Sequence, residues 1–247
     1  MDRLVYVAMS GAKENLRAQT TNSYNLANIS TIGFRADLSA FQSVQVQGAG
    51  LPSRAYATNS VAGADMSAGT IEQTGRNLDV AVQGPGWIAV QSPQGNEAYT
   101  RAGDLHVDPN GQLMTAAGYP VLSDSGPIAV PPYAQIAVAP DGSISIVPLG
   151  QTPQTIAVTA RIKLVNPAAD SLERSDGGLF RSRNGGDATS DASVQLVPGA
   201  LESSNVNMAA AMTNMIELAR SYDTQVKAMK AAEDNDTAST KLLQTSS

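Results

Sequence analysis

The sequence predicts a mainly β protein in which a central all-β domain of barrel or sandwich type is flanked by N- and C-terminal helices that form a coiled coil. Three observations point to this class. Apolar residues repeat at spacings of four and three near both ends, and short alternating runs between turn residues fill the middle. Large anchors are scarce as well: aromatics make up 4% of 247 residues, enough for one modest core.

Residues 1–35 read as the first helix, with Val5, Met9, Ala12, Leu16, Gln19, Ser23 and Leu26 on one stripe. Thr31, Gly33 and Phe34 end it, Gly33 supplying the permissive backbone of a helix exit. Residues 36–75 are small and polar without a sustained period. They are punctuated by Gly48-Ala49-Gly50, Leu51-Pro52-Ser53-Arg54 and Gly63-Ala64-Asp65-Met66, the pattern of an extended arm or hairpin.

Residues 76–185 form the all-β domain. Leu78, Val80 and Val82 alternate, Gly84-Pro85-Gly86 turns the chain, and Trp87, Ala89 and Gln91 resume. Asp108-Pro109-Asn110-Gly111 and Ala139-Pro140-Asp141-Gly142 are turns with a mechanism: proline presets φ and glycine accepts a left-handed backbone. Residues 186–204 read as a Gly/Asp/Ser linker.

From Asn205 to Ser247 the helical period returns. Met208, Met212, Met215, Ala219, Tyr222, Val226 and Met229 make a heptad seam, with Glu217, Arg220, Asp223 and Lys227 off it. Ser203, Ser204 or Asn205 is expected to cap the start, and the Ser/Thr-rich tail after Asp236 to fray. The two ends ask to pair with each other, parallel or antiparallel. Their seams hold few large side chains, each stabilising by roughly 1.5–3 kcal/mol when buried, whereas ordering backbone costs roughly 1–2 kcal/mol per residue. The helices are therefore expected to be labile in the monomer and ordered in an assembly.

The chemistry-bearing residue types are thin. Net charge is −6, and Lys and Arg are scattered singly, which argues against nucleic acid as a partner. Cysteine is absent, removing disulfides and thiolate chemistry. No apolar run approaches a bilayer span, and Leu4 to Met9 is too short for a secretory core, so no cleaved signal peptide is expected.

His106 is the only histidine and reads as a surface residue. Asp234-Asn235-Asp236 lacks the glycine and glutamate of a calcium loop, and no helix start follows Gly84-Pro85-Gly86 to cradle phosphate. Glu72, Asp79, Glu97, Asp104 and Asp108 could in principle supply a carboxylate pair for glycan cleavage, but they read as solvated strand ends. The expectation is a non-enzymatic chain with no catalytic, cofactor-binding or metal residues, no cofactor and no small-molecule substrate.

Three ordered motifs span nearly the whole chain. Asn25-Leu26-Ala27-Asn28, followed by Thr31, Gly33, Phe34 and Arg35, resembles the N-terminal signature of flagellar axial proteins, the rod and hook subunits. Gly199-Ala200-Leu201-Glu202-Ser203-Ser204-Asn205-Val206-Asn207, running into Met212, Met215, Arg220, Tyr222 and Lys227, resembles their C-terminal segment. Leu78 to Gly84, Tyr99-Thr100-Arg101-Ala102-Gly103 and Asp108 to Leu113 look like their shared β domain.

The opening Met1-Asp2-Arg3-Leu4, the Gly86-Trp87 pair and Gly126-Pro127-Ile128-Ala129-Val130-Pro131 are similar to the proximal rod branch of the basal-body rod family. Tyr24 departs from the second Asn that many members carry.

The resemblance implies assembly residues at Asn25 to Arg35 and along the C-terminal seam. Its implied partners are itself, neighbouring proximal and distal rod proteins, and the flagellar type III export apparatus. It also implies a place in the periplasmic rod, whose polymer transmits torque. A distal rod protein is the near alternative. An exported β-domain protein acting on peptidoglycan and a surface adhesin are more distant ones.

Overall fold

The computed structural model describes residues 2–45, 55–151 and 155–245; Gly48-Ala49-Gly50 and Leu51-Pro52-Ser53-Arg54 lie outside them. The chain divides into two compact units. A helical unit is built from residues 1–27, 37–63 and 207–247, and a β body from residues 28–36 and 64–206.

In the helical unit, helix α1 spans Asp2–Ala27 and helix α2 spans Met208–Thr245. Strands Asp37–Gln45 and Ala55–Ala64 pair in a two-stranded sheet. α1 stops eight residues before the expected position 35. Residues 28–31 turn, with the Thr31 N–H donating to the Asn28 carbonyl at 3.1 Å, and Gly33 follows at φ 66°.

α2 begins after Asn205, because the cap is Asn207: its Oδ1 accepts the Ala210 N–H at 3.0 Å. The helix also continues through the tail expected to fray. There Thr237, Ser239 and Thr240 donate their hydroxyls to carbonyls three or four residues back.

The helices pair antiparallel. Asn15 donates to Ser221 Oγ at 2.9 Å, Asn22 donates to the Ala211 carbonyl at 2.7 Å, and a Cβ on Gly11 would lie 3.1 Å from Gln225 Cδ. Ala8, Ala12, Asn15 and Ala18 of α1 are buried, as are Ala211 and Ala232 of α2.

This line shares Ala12 with the expected α1 stripe but is turned from the rest of it, whose Met9 and Leu16 are 51% and 47% exposed. Small side chains and short amides let the two backbones approach and bond, and the longer side chains are displaced to the flank.

All strand pairs of the β body with a described register are antiparallel. Its largest sheet has five strands, in the order Leu164–Val165, Trp87–Gln91, Glu97–Thr100, Phe180–Ser182, Leu172–Arg174. A three-stranded sheet runs Tyr133–Val138, Ser143–Pro148, Ala157–Arg161, and the remaining strands pair two by two. No closed barrel forms among the described residues; the domain is a set of small sheets around a shared core.

The core is aliphatic, centred on Val80, Ile88, Val90, Leu105, Leu113 and Ile144, all fully buried. Trp87, Tyr99 and Phe180 form a second cluster on the other face of the five-stranded sheet. Both predicted turns form, with Gly111 and Gly142 at φ 83°.

Residues 186–204, read as a linker, hold two strands. Gln195–Pro198 pairs with Val80–Gln83 and Ala200–Glu202 with Ile71–Gln73. Their short apolar content hid them: Leu196 and Ala200 are the fully buried anchors amid Gly, Asp and Ser.

Candidate assembly site

The two signature segments meet inside the β body around Glu202, whose side chain is wholly buried. Glu202 Oε1 accepts from Arg35 Nη2 at 2.6 Å and from the Gly69 N–H at 2.8 Å. Its Oε2 accepts from Arg101 Nη1 at 3.0 Å. Arg101 also donates to the carbonyls of Val82 and Gly84, and both arginines lie over Trp87, at 6.0 Å (Arg35) and 5.3 Å (Arg101) from the ring centre. Burial pulls the Arg101 guanidinium below its ordinary pKa, and Glu202 opposes that fall. One carboxylate thus serves two buried cations.

Backbone bonds complete this clasp. The Gly33 N–H donates to the Glu202 carbonyl at 2.7 Å, and the Asn205 N–H donates to the Phe34 carbonyl at 3.3 Å. Asn205, expected as a cap, instead ties three segments: its Oδ1 accepts the Ala36 N–H, and its Nδ2 donates to the carbonyls of Asp65 and Ser67.

Gly33 is required twice over. Its φ is positive, and a Cβ there would stand 2.3 Å from the Arg101 carbonyl carbon. Arg174 donates to the Arg35 carbonyl and lies 5.0 Å from the rings of Phe34 and Phe180.

The expected assembly residues are therefore divided. Gly33, Phe34 and Arg35 are buried in the clasp, while Thr31 is exposed and bonds to Asn28. Asn25 belongs to the helical unit, where it exchanges two hydrogen bonds with the Asp37 backbone; Leu26 is half-buried and Ala27 exposed.

Along α2, Met215, Tyr222 and Met229 are half-buried. Met208 and Met212 are 51% exposed, Val226 is 39% exposed, and Ala219 is also exposed. Ile216, outside the expected seam, is 55% exposed beside them. On α1 the outward apolar residues are Tyr6, Met9, Leu16 and Tyr24. Sequence reasoning missed Glu202 and Arg101 as hubs and the outward stripe of α1, although all three lay within motifs or periods already visible.

The other chemistry-bearing residues have local roles. His106 is exposed on its strand, Asp234 to Asp236 lie on α2, and the Asp108 carboxylate accepts the Gln112 N–H, which holds its pKa down. Asp79 accepts from Thr74 and pairs with Arg76, and Glu97 pairs with Lys163. Burial raises the pKa of Asp104, with neighbouring Asp79 adding to the effect. Glu72 is exposed. Among the described residues no three His, Cys, Asp or Glu side chains group to hold a metal ion, and no helix is long and apolar enough to cross a membrane.

Comparison with known proteins matches residues 81–146 to the flagellar hook protein FlgE/F/G D1 domain and residues 197–245 to the flagellar basal body rod FlgEFG protein C-terminal family. The chain is 44% identical to the flagellar basal-body rod protein FlgF of Escherichia coli, over 98% of this chain and 99% of that protein. It is 42% identical to FlgF of Salmonella typhimurium over the same shares. To the flagellar basal-body rod protein FlgG of Bacillus subtilis it is 30% identical, over 95% of this chain and 96% of that one. The matched C-terminal segment contains Glu202 and the whole of α2, and the matched D1 segment contains Arg101 and Trp87.

Proposed function

The chain belongs to the flagellar basal-body rod protein family and is a structural subunit of that rod; on that premise we propose that it joins the rod through the outward stripes of its two terminal helices. The observation that carries this is the contrast between the units. The β body is built around an extended aliphatic core, whereas the helical unit buries a line of alanines and leaves Met9, Leu16, Met208, Met212, Ile216 and Val226 exposed. Exposed methionines suit contacts with neighbours that differ slightly in sequence.

Its neighbours in this reading are further copies of itself and the adjoining proximal and distal rod proteins, in the periplasmic part of the basal body. The chain reaches them unfolded, through the flagellar type III export apparatus. The alanine interface supports such a route, since helices with so little buried area gain order chiefly by docking. Torque then passes through packed contacts, with no catalytic step, and the clasp around Glu202 fixes the chain as it leaves the first signature and enters the second.

The test is to supply Met212→Asp in cells whose resident copy has been deleted. The wild-type chain restores flagella; the variant leaves rods incomplete while its β body melts normally. Restored flagella with the variant would contradict the docking role of the stripe.

A further inference from the structure

Both outward stripes belong to one unit, and each is turned away from the buried line of its own helix, so a single copy can engage a different neighbour through each. A contact between unlike surfaces does not close on itself, and it propagates. Resting on the proposed assembly role, we infer that the α1 stripe of one copy receives the α2 stripe of a second copy, antiparallel, with Lys13 facing Asp223.

Charge and register select this occupant. Within the chain the helices already meet antiparallel, Gly11 against Gln225 and Asn15 against Ser221. The same offset carried to the outward stripes sets Met9 opposite Val226, Lys13 opposite Asp223 and Leu16 opposite Ala219. All six are exposed. The side chains of Lys13 and Asp223 make no hydrogen bond or ion pair within the described residues, whereas Arg17, the next cation of α1, is bound to Glu14.

Registers displaced by one or two turns fail on charge. A slide of about one turn sets Lys13 against Arg220 or Lys227, and a slide of about two turns against Ile216 or Lys230. Between Met208 and Lys230, Asp223 is the only acid on the outward face, since Glu217 projects from another side of the helix at about 100° per residue. The partner is thus a chain carrying this same α2 face, and a second copy meets the requirement.

The chain lacks cysteine, so introduced thiols report the contact cleanly. Full-length chains bearing Met9→Cys are mixed with full-length chains bearing Val226→Cys and mildly oxidised across a concentration series. The mixture is expected to give disulfide-linked dimers that neither variant gives alone, and the double variant a ladder of higher species. Lys13→Glu and Asp223→Lys, each alone, are expected to raise the concentration for half-maximal cross-linking about tenfold. Mixing Met9→Cys chains that carry Lys13→Glu with Val226→Cys chains that carry Asp223→Lys restores it.

Self-cross-linking by either single variant overturns the unlike pairing, and charge reversals without effect overturn the register. Absence of cross-links at every concentration overturns a second copy as the occupant. None of these results touches the assembly role itself, which the flagellation of cells carrying Met212→Asp decides separately.

Discussion

Glu202 is the residue on which the β body depends most sharply, because among the described residues it is the only carboxylate that bonds the two buried guanidiniums of Arg35 and Arg101. A buried ion pair can be no more stable than an apolar substitute, but removing one member strands the others without charge balance. Glu202→Gln should therefore lower the unfolding free energy of the β body by about 3 kcal/mol, read from urea denaturation.

Tyr99 makes an alkaline prediction. Burial is the main cause that raises its pKa to about 12, although its hydroxyl oxygen accepts the Ala188 N–H. The unfolded tyrosine ionises near 10, so the folded state holds its proton more tightly. The associated stability is complete below about pH 10 and is lost as pH rises from about 10 to 12, on the order of 2–3 kcal/mol. Tyr99→Phe should abolish that fall in a pH series of thermal melts. Neither role could be read locally: Glu202 lies 167 residues from Arg35 and 101 from Arg101. The motifs placed both segments in one family pattern without revealing that they touch.

At the scale of elements, the two helices were legible by period and the direction of α1's contact face was not. Periodicity weights large apolar residues, and so it chose Met9 and Leu16. The structure buries Ala8, Ala12 and Ala18 with Asn15, since alanine and a short amide permit the close approach that the Asn15–Ser221 and Asn22–Ala211 bonds need. On α2 the expected seam combined two functions. Met215, Tyr222 and Met229 are half-buried, and Met208, Met212 and Val226 face water.

Such an interface is shallow, each buried methyl contributing less than about 1 kcal/mol. In hydrogen exchange on dilute monomer, amides of α1 and α2 should exchange at least about a hundredfold faster than those of Trp87–Gln91, an interior strand of the largest sheet that is buried from Trp87 to Val90. Equal protection would show that the helices fold stably alone.

At the scale of the molecule, the β body is discontinuous in sequence and is closed late. Its final strands, Gln195–Pro198 and Ala200–Glu202, pair with Val80–Gln83 and Ile71–Gln73, and Glu202 then pairs with both Arg35 and Arg101. A chain ending after residue 206 should keep a cooperative β transition. One ending after residue 194 should lose it, since both edge strands and the shared carboxylate go together. The sequence division at 186–204 missed this closure because Gly, Asp and Ser supply eight of its 19 residues and interrupt the apolar ones, of which Val194, Leu196 and Ala200 do the packing.

Assembly is assigned to the helical unit, but the β body has exposed apolar residues of its own; Val158 is 69% exposed, more than Met212 at 51%. The decisive measurement is electron microscopy of basal bodies from deletion cells supplied with Met212→Asp or with Val158→Asp. Met212→Asp is expected to leave rods incomplete and Val158→Asp to leave them complete. Complete rods with Met212→Asp and incomplete rods with Val158→Asp would place assembly on the β body and contradict its assignment to the helical unit.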